Sequence, residues 1–493
     1  MKRVISAILS VILAASMGAG LSGCGGNKAE GGTLTWYIFG DKPQDHDIVM
    51  EKANEIIKAE IGMELDMQYI DSASYEEKMK LKMASGEPYD LAFTGYINPY
   101  QKAVDMGGLY DITDILKEEG FDDTVMPQFY FDVATVKGRI YGIPNVQVVS
   151  NPSCIMMDKS LHDEIGADLP AIEKAARNAK TYEDVEKYAL MLDDLFEKVH
   201  KARPDLYVFN PDADIIKAVR YEDLLGGVSI LKDGSTTKLE LLRDTKDAQL
   251  GMRKVREWYE KGYIRNDIAS VGTALTSNEE ARKIAVRTAT WKPGNEDTLK
   301  NKYGEEQITA LIHDPYIYRD MPLKTMTSVG ANSKHPREAV KLLKLINTNK
   351  ELYNLICWGI EGTHYTMNED GRITVIPDSG YDKIGTNAWK YGNQFNSFVR
   401  DTQPADVWEE TEEMNNNAKL SPMLGFVPDT DAIATEISNL TTIEDEYKAK
   451  KKFGTAAFED YFDEKCDKEN KAGIQAVLAE LQKQYDEFLA SKK

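Results

Sequence analysis

Apolar positions recur at two spacings along this chain, and the alternation between them lays out the first hundred residues. Leu34 to Phe39 (LTWYIF) is rich in strand formers and ends at Gly40. Between Asp47 and Glu60, Ile48, Val49, Ala53, Ile56 and Ile57 form a helical stripe that stops at Gly62. Leu65, Met67 and Tyr69 alternate with polar residues, predicting a second strand. Ser74-Tyr75-Glu76-Glu77 has the form of a capping box opening a helix that ends near Gly86, and Tyr89 to Thr94 (YDLAFT) predicts a third strand. Strand, helix, strand, helix, strand implies a parallel sheet with right-handed crossovers. Ligands of such sheets lie beyond the carboxyl ends of the strands. Here those ends are Trp36-Tyr37-Ile38-Phe39-Gly40 and Thr94-Gly95-Tyr96, both rich in aromatics.

A second unit follows. Ile140 to Pro144 leads into the apolar stretch Val146 to Met157. Thr181-Tyr182-Glu183-Asp184 opens a periodic helix carrying Val185, Tyr188, Ala189, Leu192, Leu195, Phe196 and Val199, closed near Pro204. Another helix is expected over Ala248 to Gly262. Ile284 to Thr290 (IAVRTAT) predicts a strand ending in Trp291-Lys292-Pro293-Gly294, and Gln307 to Ile312 one more. Helices are expected over Pro336 to Ile346, Leu352 to Trp358 and Ile474 to Leu489. The last carries Ile474, Val477, Leu478, Leu481, Tyr485 and Phe488 on one side.

The beginning of the chain adds an address. Lys2 and Arg3 precede a run, Val4 to Met17, that is wholly apolar or small. A basic start followed by roughly 10–15 apolar residues is the pattern of a secretory signal. It is shorter than the about 20 residues that span a bilayer. The run ends in Leu21-Ser22-Gly23-Cys24, which resembles the lipobox of bacterial lipoproteins. That resemblance implies cleavage before Cys24 and a diacylglyceryl group on its thiol, with Gly25 to Gly32 as a flexible tether. A cell-membrane protein anchored by lipid on the extracytoplasmic face is expected. Without Lys2 and Arg3 the formal charge goes from −21 to −23, which argues against a nucleic-acid partner. Cys154, Cys357 and Cys466 are too far apart for a disulfide framework or a metal spacing; three buried thiols are expected, with one bridge open as the alternative.

Several stretches, in order, carry a wider resemblance. They are LTWYIFG near the start, ASGEPYDLAFTG (84–95), GGLYDITDIL (107–116), RIYGIPNVQ (139–147), RTATWKPG (287–294), WGIEGTHY (358–365) and YGNQFN (391–396), then the tail from Gly425. Together they resemble the carbohydrate-binding extracellular solute-binding lipoproteins of bacterial ABC importers, in particular the LplA-like subfamily with its own C-terminal domain. The resemblance implies an α/β, two-lobed, periplasmic-binding-protein-like (type II) fold with a hinge and a helical C-terminal extension. It divides the chain into a signal peptide (1–23), a lipidated tether (24–32), lobe 1 (33–144 and 284–333), lobe 2 (145–283 and 334–424) and a C-terminal domain (425–493) packing on the lobes. The implied function is capture of a carbohydrate, an oligosaccharide that could carry uronic acids, and its delivery as a monomer to membrane-embedded ABC permease subunits.

A pyranose offers an apolar C–H face and a rim of hydroxyls, so aromatics and paired polar side chains are the groups that hold it. The aromatic candidates are Trp36, Tyr37, Tyr96, Trp291, Trp358, Tyr365 and Trp389; the polar ones are Glu361, His364, Asn393 and Gln394. Packing inside a lobe is the alternative for each aromatic, and a hydrogen-bonded structural role the alternative for His364. Strand alternation sends Trp36 and Tyr37 to opposite faces, so at most one of them faces a cleft. Arg287, Arg319 and Arg400 could meet a carboxylate on an acidic sugar, with solvated surface arginines as the commoner alternative. Catalytic signatures such as G-x-S-x-G, H-E-x-x-H and G-x-x-x-x-G-K-[ST] are missing from the sequence, and no catalytic residue, metal or cofactor is expected. Asp212-Ala213-Asp214 and Asp429-Thr430-Asp431 lack the spacing of a calcium-binding EF-hand loop. A receptor for a peptide or other polar solute and a secreted glycoside-processing enzyme are the alternatives.

Overall fold

The computed structural model describes residues 31–274, 277–381 and 384–492, so the leader and Cys24 lie outside the described residues. Two sheets, each with its own apolar core, form the body. In the first, Thr33–Phe39 lies between Glu64–Ile70 and Leu91–Gly95 and is parallel to both, as the alternating pattern predicts. Trp36 pairs with Met67 on one side and Leu91 on the other. The helix between the first two strands spans His46–Ile61 and stops at Gly62, whose φ of 73° is the left-handed conformation that glycine adopts without strain. The box expected at Ser74 does not form. Its hydroxyl turns back to the carbonyl of Asp71 at 3.3 Å, and helix Tyr75–Ser85 begins without a side-chain cap. At Thr181 the reciprocal box is made, with Asp184 N–H donating to Thr181 Oγ1 (3.3 Å) and Thr181 N–H to Asp184 Oδ2 (3.1 Å).

Two further strands complete the first sheet, Thr325–Val329 antiparallel to Leu91–Gly95 and Gly142–Pro144 at the edge. The first of these was not expected from the sequence. It is buried at every position, so it lacks the apolar–polar alternation that marks a half-exposed strand.

The second sheet has the order Gln307–Leu311, Ser153–Asp158, Ile284–Thr290, Tyr207–Phe209. Here the division of the chain differs from expectation. Ile284–Thr290, assigned to lobe 1, pairs with Ser153–Asp158 of lobe 2, Val286 opposite Met157. Conversely, helices Pro336–Thr348 and Lys350–Trp358, assigned to lobe 2, bury Val340, Leu343, Ile346 and Tyr353 in the core of lobe 1. The return to lobe 1 thus falls after residue 311. Strand pairing, which no local pattern records, decides it.

The C-terminal helices Ala434–Phe453 and Ile474–Ser491 pack on lobe 2. Leu440, Val477, Leu481 and Tyr485 share a core with Val228, Ile230 and Leu241 of a small antiparallel sheet. Contact with lobe 1 is slighter; Lys492 Nζ donates to the carbonyl of Leu424, which belongs to the lobe 1 core. Cys154 and Cys357 are buried free thiols as expected, whereas Cys466, on helix Phe462–Lys471, is partly exposed rather than buried. Among the described residues no helix is long and apolar enough to cross a membrane.

Candidate functional site

Strand Thr33–Phe39 delivers Phe39 and strand Leu91–Gly95 delivers Tyr96 to one edge of the first sheet, because both strands run in the same direction and end together. Gly95 (φ 143°) makes this possible: a Cβ there would lie 2.0 Å from the Lys324 carbonyl oxygen. Trp389 closes the group from a distant segment. The Phe39, Tyr96 and Trp389 ring centroids are 5.8–6.1 Å apart pairwise, and Phe93 lies 4.9 Å from Phe39 beneath them. Tyr96 is 51% exposed while Phe39 is 5% exposed, so the cluster has a wet upper surface and a buried root. An aromatic surface of this kind matches the apolar face of a sugar ring.

Lys390 anchors the floor. Its ammonium donates to the Phe39 carbonyl at 3.1 Å and lies 3.9 Å from the centre of that ring. Burial lowers its pKa to about 8, and the Asp41 carboxylate opposes that effect in part. The backbone carrying Trp389 and Lys390 is held by buried Asn145. The Asn145 side-chain amide donates to the carbonyls of Lys390 (2.8 Å) and Trp389 (3.4 Å), and its oxygen accepts from the Thr327 hydroxyl at 3.3 Å. Asn145 opens the segment that crosses to the second lobe, so the floor is tied to a crossing strand.

That crossing is itself braced. Asn415 accepts from the N–H groups of Val149 and Ser150, both at 3.1 Å, and donates to the Gln147 carbonyl at 2.7 Å. Gln147 in turn donates to Thr325 Oγ1 at 2.6 Å. His313 Nδ1 donates to the Asp314 carbonyl at 2.7 Å, leaving Nε2 to accept from Ser153 N–H at 3.3 Å; burial holds this ring neutral, its pKa lowered to about 3.

On the other lobe Trp291 follows the end of strand Ile284–Thr290. Its N–H donates to the Pro152 carbonyl at 2.9 Å, which places it beside the crossing segment. It is half-buried and Lys292 is exposed.

The structure sorts the predicted residues. Tyr96 and Trp389 come together, and Trp291 follows the end of a strand in the other sheet. Trp36 does not line the site: it is fully buried, edge-on to Tyr391 at 5.8 Å. Tyr37, on the opposite face, packs under helix Tyr75–Ser85, with Lys82 Nζ 4.6 Å from its ring. Trp358 is core, its indole N–H donating to Ser397 Oγ at 2.9 Å, and Tyr365 is buried beside Phe398. His364 is structural: Nδ1 accepts from Ile360 N–H at 2.8 Å and Nε2 lies 3.3 Å from Asp45. Glu361 is exposed near Tyr365, away from the aromatic floor. Asn393 is spent on its own turn, accepting from Phe395 N–H at 3.0 Å, while Gln394 N–H donates to Val146 at 2.8 Å along the crossing segment. Arg287 is committed to Asp158 (2.7 Å) and Gln307 (3.0 Å), and Arg319 to the Phe426 carbonyl (3.0 Å). Phe39 and Lys390 were missed. Phe39 stood inside the strand-end stretch singled out above, whereas nothing around Lys390 signals its partner.

A separate cavity of about 500 Å³ lies between lobe 2 and the C-terminal helices. Its charges largely pair with one another, Arg243 with Glu469 (2.6 Å) and Lys465 with Glu444 (3.3 Å), and it contains none of the predicted aromatics. Asp212 there bonds the Thr288 hydroxyl and Asp214 accepts two N–H groups at 3.1 Å, the work of turns and caps. Among the described residues no three His, Cys, Asp or Glu side chains gather to hold a metal ion.

Two α/β lobes joined by crossing segments have the type II solute-binding-protein fold. The relatives agree. Along 97% of both chains it is 27% identical to a carbohydrate ABC transporter substrate-binding protein of Streptococcus pneumoniae serotype 4. The N-glycan transport solute binding protein (NgtS) from Streptococcus pneumoniae superposes with a TM-score of 0.76 at 26% identity, covering 94% of this chain and 100% of that one. The same protein in complex with Man1GlcNAc gives 0.63 at 25% identity over 93% and 100%. Residues 422–490 match a family described as a domain of unknown function (DUF3502).

Proposed function

We propose that this protein is a lipid-anchored, extracytoplasmic receptor that captures an oligosaccharide and hands it to the permease of an ABC importer. The observation that carries the reading is the Phe39–Tyr96–Trp389 floor, an aromatic surface at the ends of parallel strands with Tyr96 exposed and the Lys390 ammonium beneath Phe39. In this reading Trp291, after the last residue of a lobe 2 strand, supplies an aromatic contact from the second lobe on closure. Binding needs only that the closed state touch the ligand more than the open one. The two NgtS comparisons support a hinged reading. Identity hardly changes between them, yet the TM-score falls from 0.76 to 0.63, as a rigid-body movement of lobes produces. Cys24, lipidated, keeps the receptor beside its permease.

The test is a thermal-shift and calorimetric screen of the soluble domain against oligosaccharides and peptides. A true ligand raises the melting temperature by mass action. Glycan recovered intact by chromatography supports capture, and shorter products would convert the reading to hydrolysis. A peptide hit without a glycan hit would replace the ligand class. Mass spectrometry of the exported protein checks Cys24 for an acyl-glyceryl adduct.

A further inference from the structure

Cations in a strongly acidic chain ordinarily find carboxylates, and around the cleft three do not. The loop after strand Ile284–Thr290 carries Lys292 and packs on the segment holding Arg400. Gly294 (φ 74°) is pressed so closely there that a Cβ would lie 2.5 Å from Val407 and 3.3 Å from the Gln403 amide nitrogen. Gln403 Oε1 accepts from Arg400 Nε at 3.2 Å, which fixes the guanidinium beside the loop and uses one of its donors. Neither Lys292 nor Arg400 has a carboxylate within ion-pair distance among the described residues, although Arg287 and Arg319 do. The Lys292 ammonium reaches water, yet surrounding protein lowers its pKa and the Arg400 charge lowers it further. Like charges side by side without an anion are unfavourable, and an anion between them turns that repulsion into attraction. Lys390, under the aromatic floor, is 7% exposed and among the described residues has one carbonyl as its acceptor and no ion pair.

We propose that the captured oligosaccharide carries an anionic group, a carboxylate or a sulfate, that is received by Lys292 and Arg400, with Lys390 donating to it or to its ring from the aromatic floor. This rests on the oligosaccharide reading above and narrows it. A neutral glycan would leave the two neighbouring cations without a counter-charge, whereas an acidic one would place an anion between them. The contact is electrostatic and partly wet, so it weakens with salt.

Calorimetry of the soluble domain against matched pairs decides it: oligouronates with their carboxyl-reduced counterparts, sialylated glycans with the desialylated ones, and sulfated glycans with the desulfated ones. We expect the acidic member of one pair to bind at least ten-fold tighter at low salt. That ratio should collapse toward one in Lys292→Gln and Arg400→Gln, whose melting temperatures stay near the parent's, and survive in Arg400→Lys. Which pair responds identifies carboxylate or sulfate. If neutral members bind as tightly as acidic ones, or the ratio survives both neutralising variants, the anionic proposal falls while the oligosaccharide reading stands. If no glycan of either kind binds, both fall.

Discussion

Tyr96 and Trp389 sit 6.1 Å apart, centroid to centroid, on the same floor, although one follows the third strand and the other comes from the far side of a long excursion through lobe 2. Tyr96 spends little of its surface on packing, being 51% exposed. Tyr96→Ala should therefore leave the melting temperature nearly unchanged and weaken glycan binding by about ten-fold, the equivalent of about 1.4 kcal/mol. Trp389→Ala should cost as much affinity plus a measurable loss of stability, because its ring also covers Phe39. Titration calorimetry beside thermal melts separates the two; an unaltered dissociation constant in Tyr96→Ala would take the floor out of the site.

Trp36 gives the opposite outcome. It is a large, fully buried side chain, so Trp36→Ala should lower stability by about 3–5 kcal/mol while the folded fraction binds ligand as before. Denaturant melts and titration below the transition check both halves. Trp291→Ala should do the reverse, sparing stability, weakening binding and reducing the compaction that ligand produces in small-angle X-ray scattering.

Asn415 makes three hydrogen bonds to the backbone of one crossing segment. Asn415→Leu leaves buried N–H groups of Val149 and Ser150 without acceptors, at a cost of ~1–3 kcal/mol. Amide hydrogen exchange should report the loss first at Val149 and Ser150, and unchanged protection there would deny the brace.

The pH dependence of Lys390 has a definite sign. Its folded pKa of about 8 lies below the ordinary lysine value, so between about pH 8 and 10.5 the unfolded chain holds the proton that the folded one has lost. Its contribution to stability therefore rises with pH across that window, and below pH 8 the folded state bears the full cost of a buried ammonium. Lys390→Met should be more stable than the parent at pH 7, by about 1–2 kcal/mol, with the gap closing toward pH 10.5. Ligand affinity of the parent should decline above pH 8, as the donor loses its charge. Melts and titrations between pH 6 and 10.5 test both; a gap that is constant with pH would refute the assignment.

Much of the architecture was legible in the chain. Strand Ile284–Thr290 and helix Tyr182–Ala202 have periodic, well-punctuated sequences, and both form where the pattern places them. Strand Thr325–Val329 was not legible, because complete burial erases periodicity. The aromatics divide the same way. Trp36 and Tyr37 were separable by strand alternation, but that rule names two faces without saying which one meets a helix, and here both are covered. Trp358 sat in a motif of the resemblance and still proved to be core, since a motif repeats wherever packing repeats.

The sequence by itself determined the kinds of element, the α/β class and the strand ends at which a ligand would be sought, because these depend on spacings within a few residues of each other. Only the tertiary structure decided which lobe each segment joins, which aromatics stay wet, and that Lys390 lies under Phe39 while Lys292 and Arg400 stand together. Those facts depend on pairings between segments far apart in the chain, and burial, hydrogen bonding and charge proximity are properties of the assembled whole.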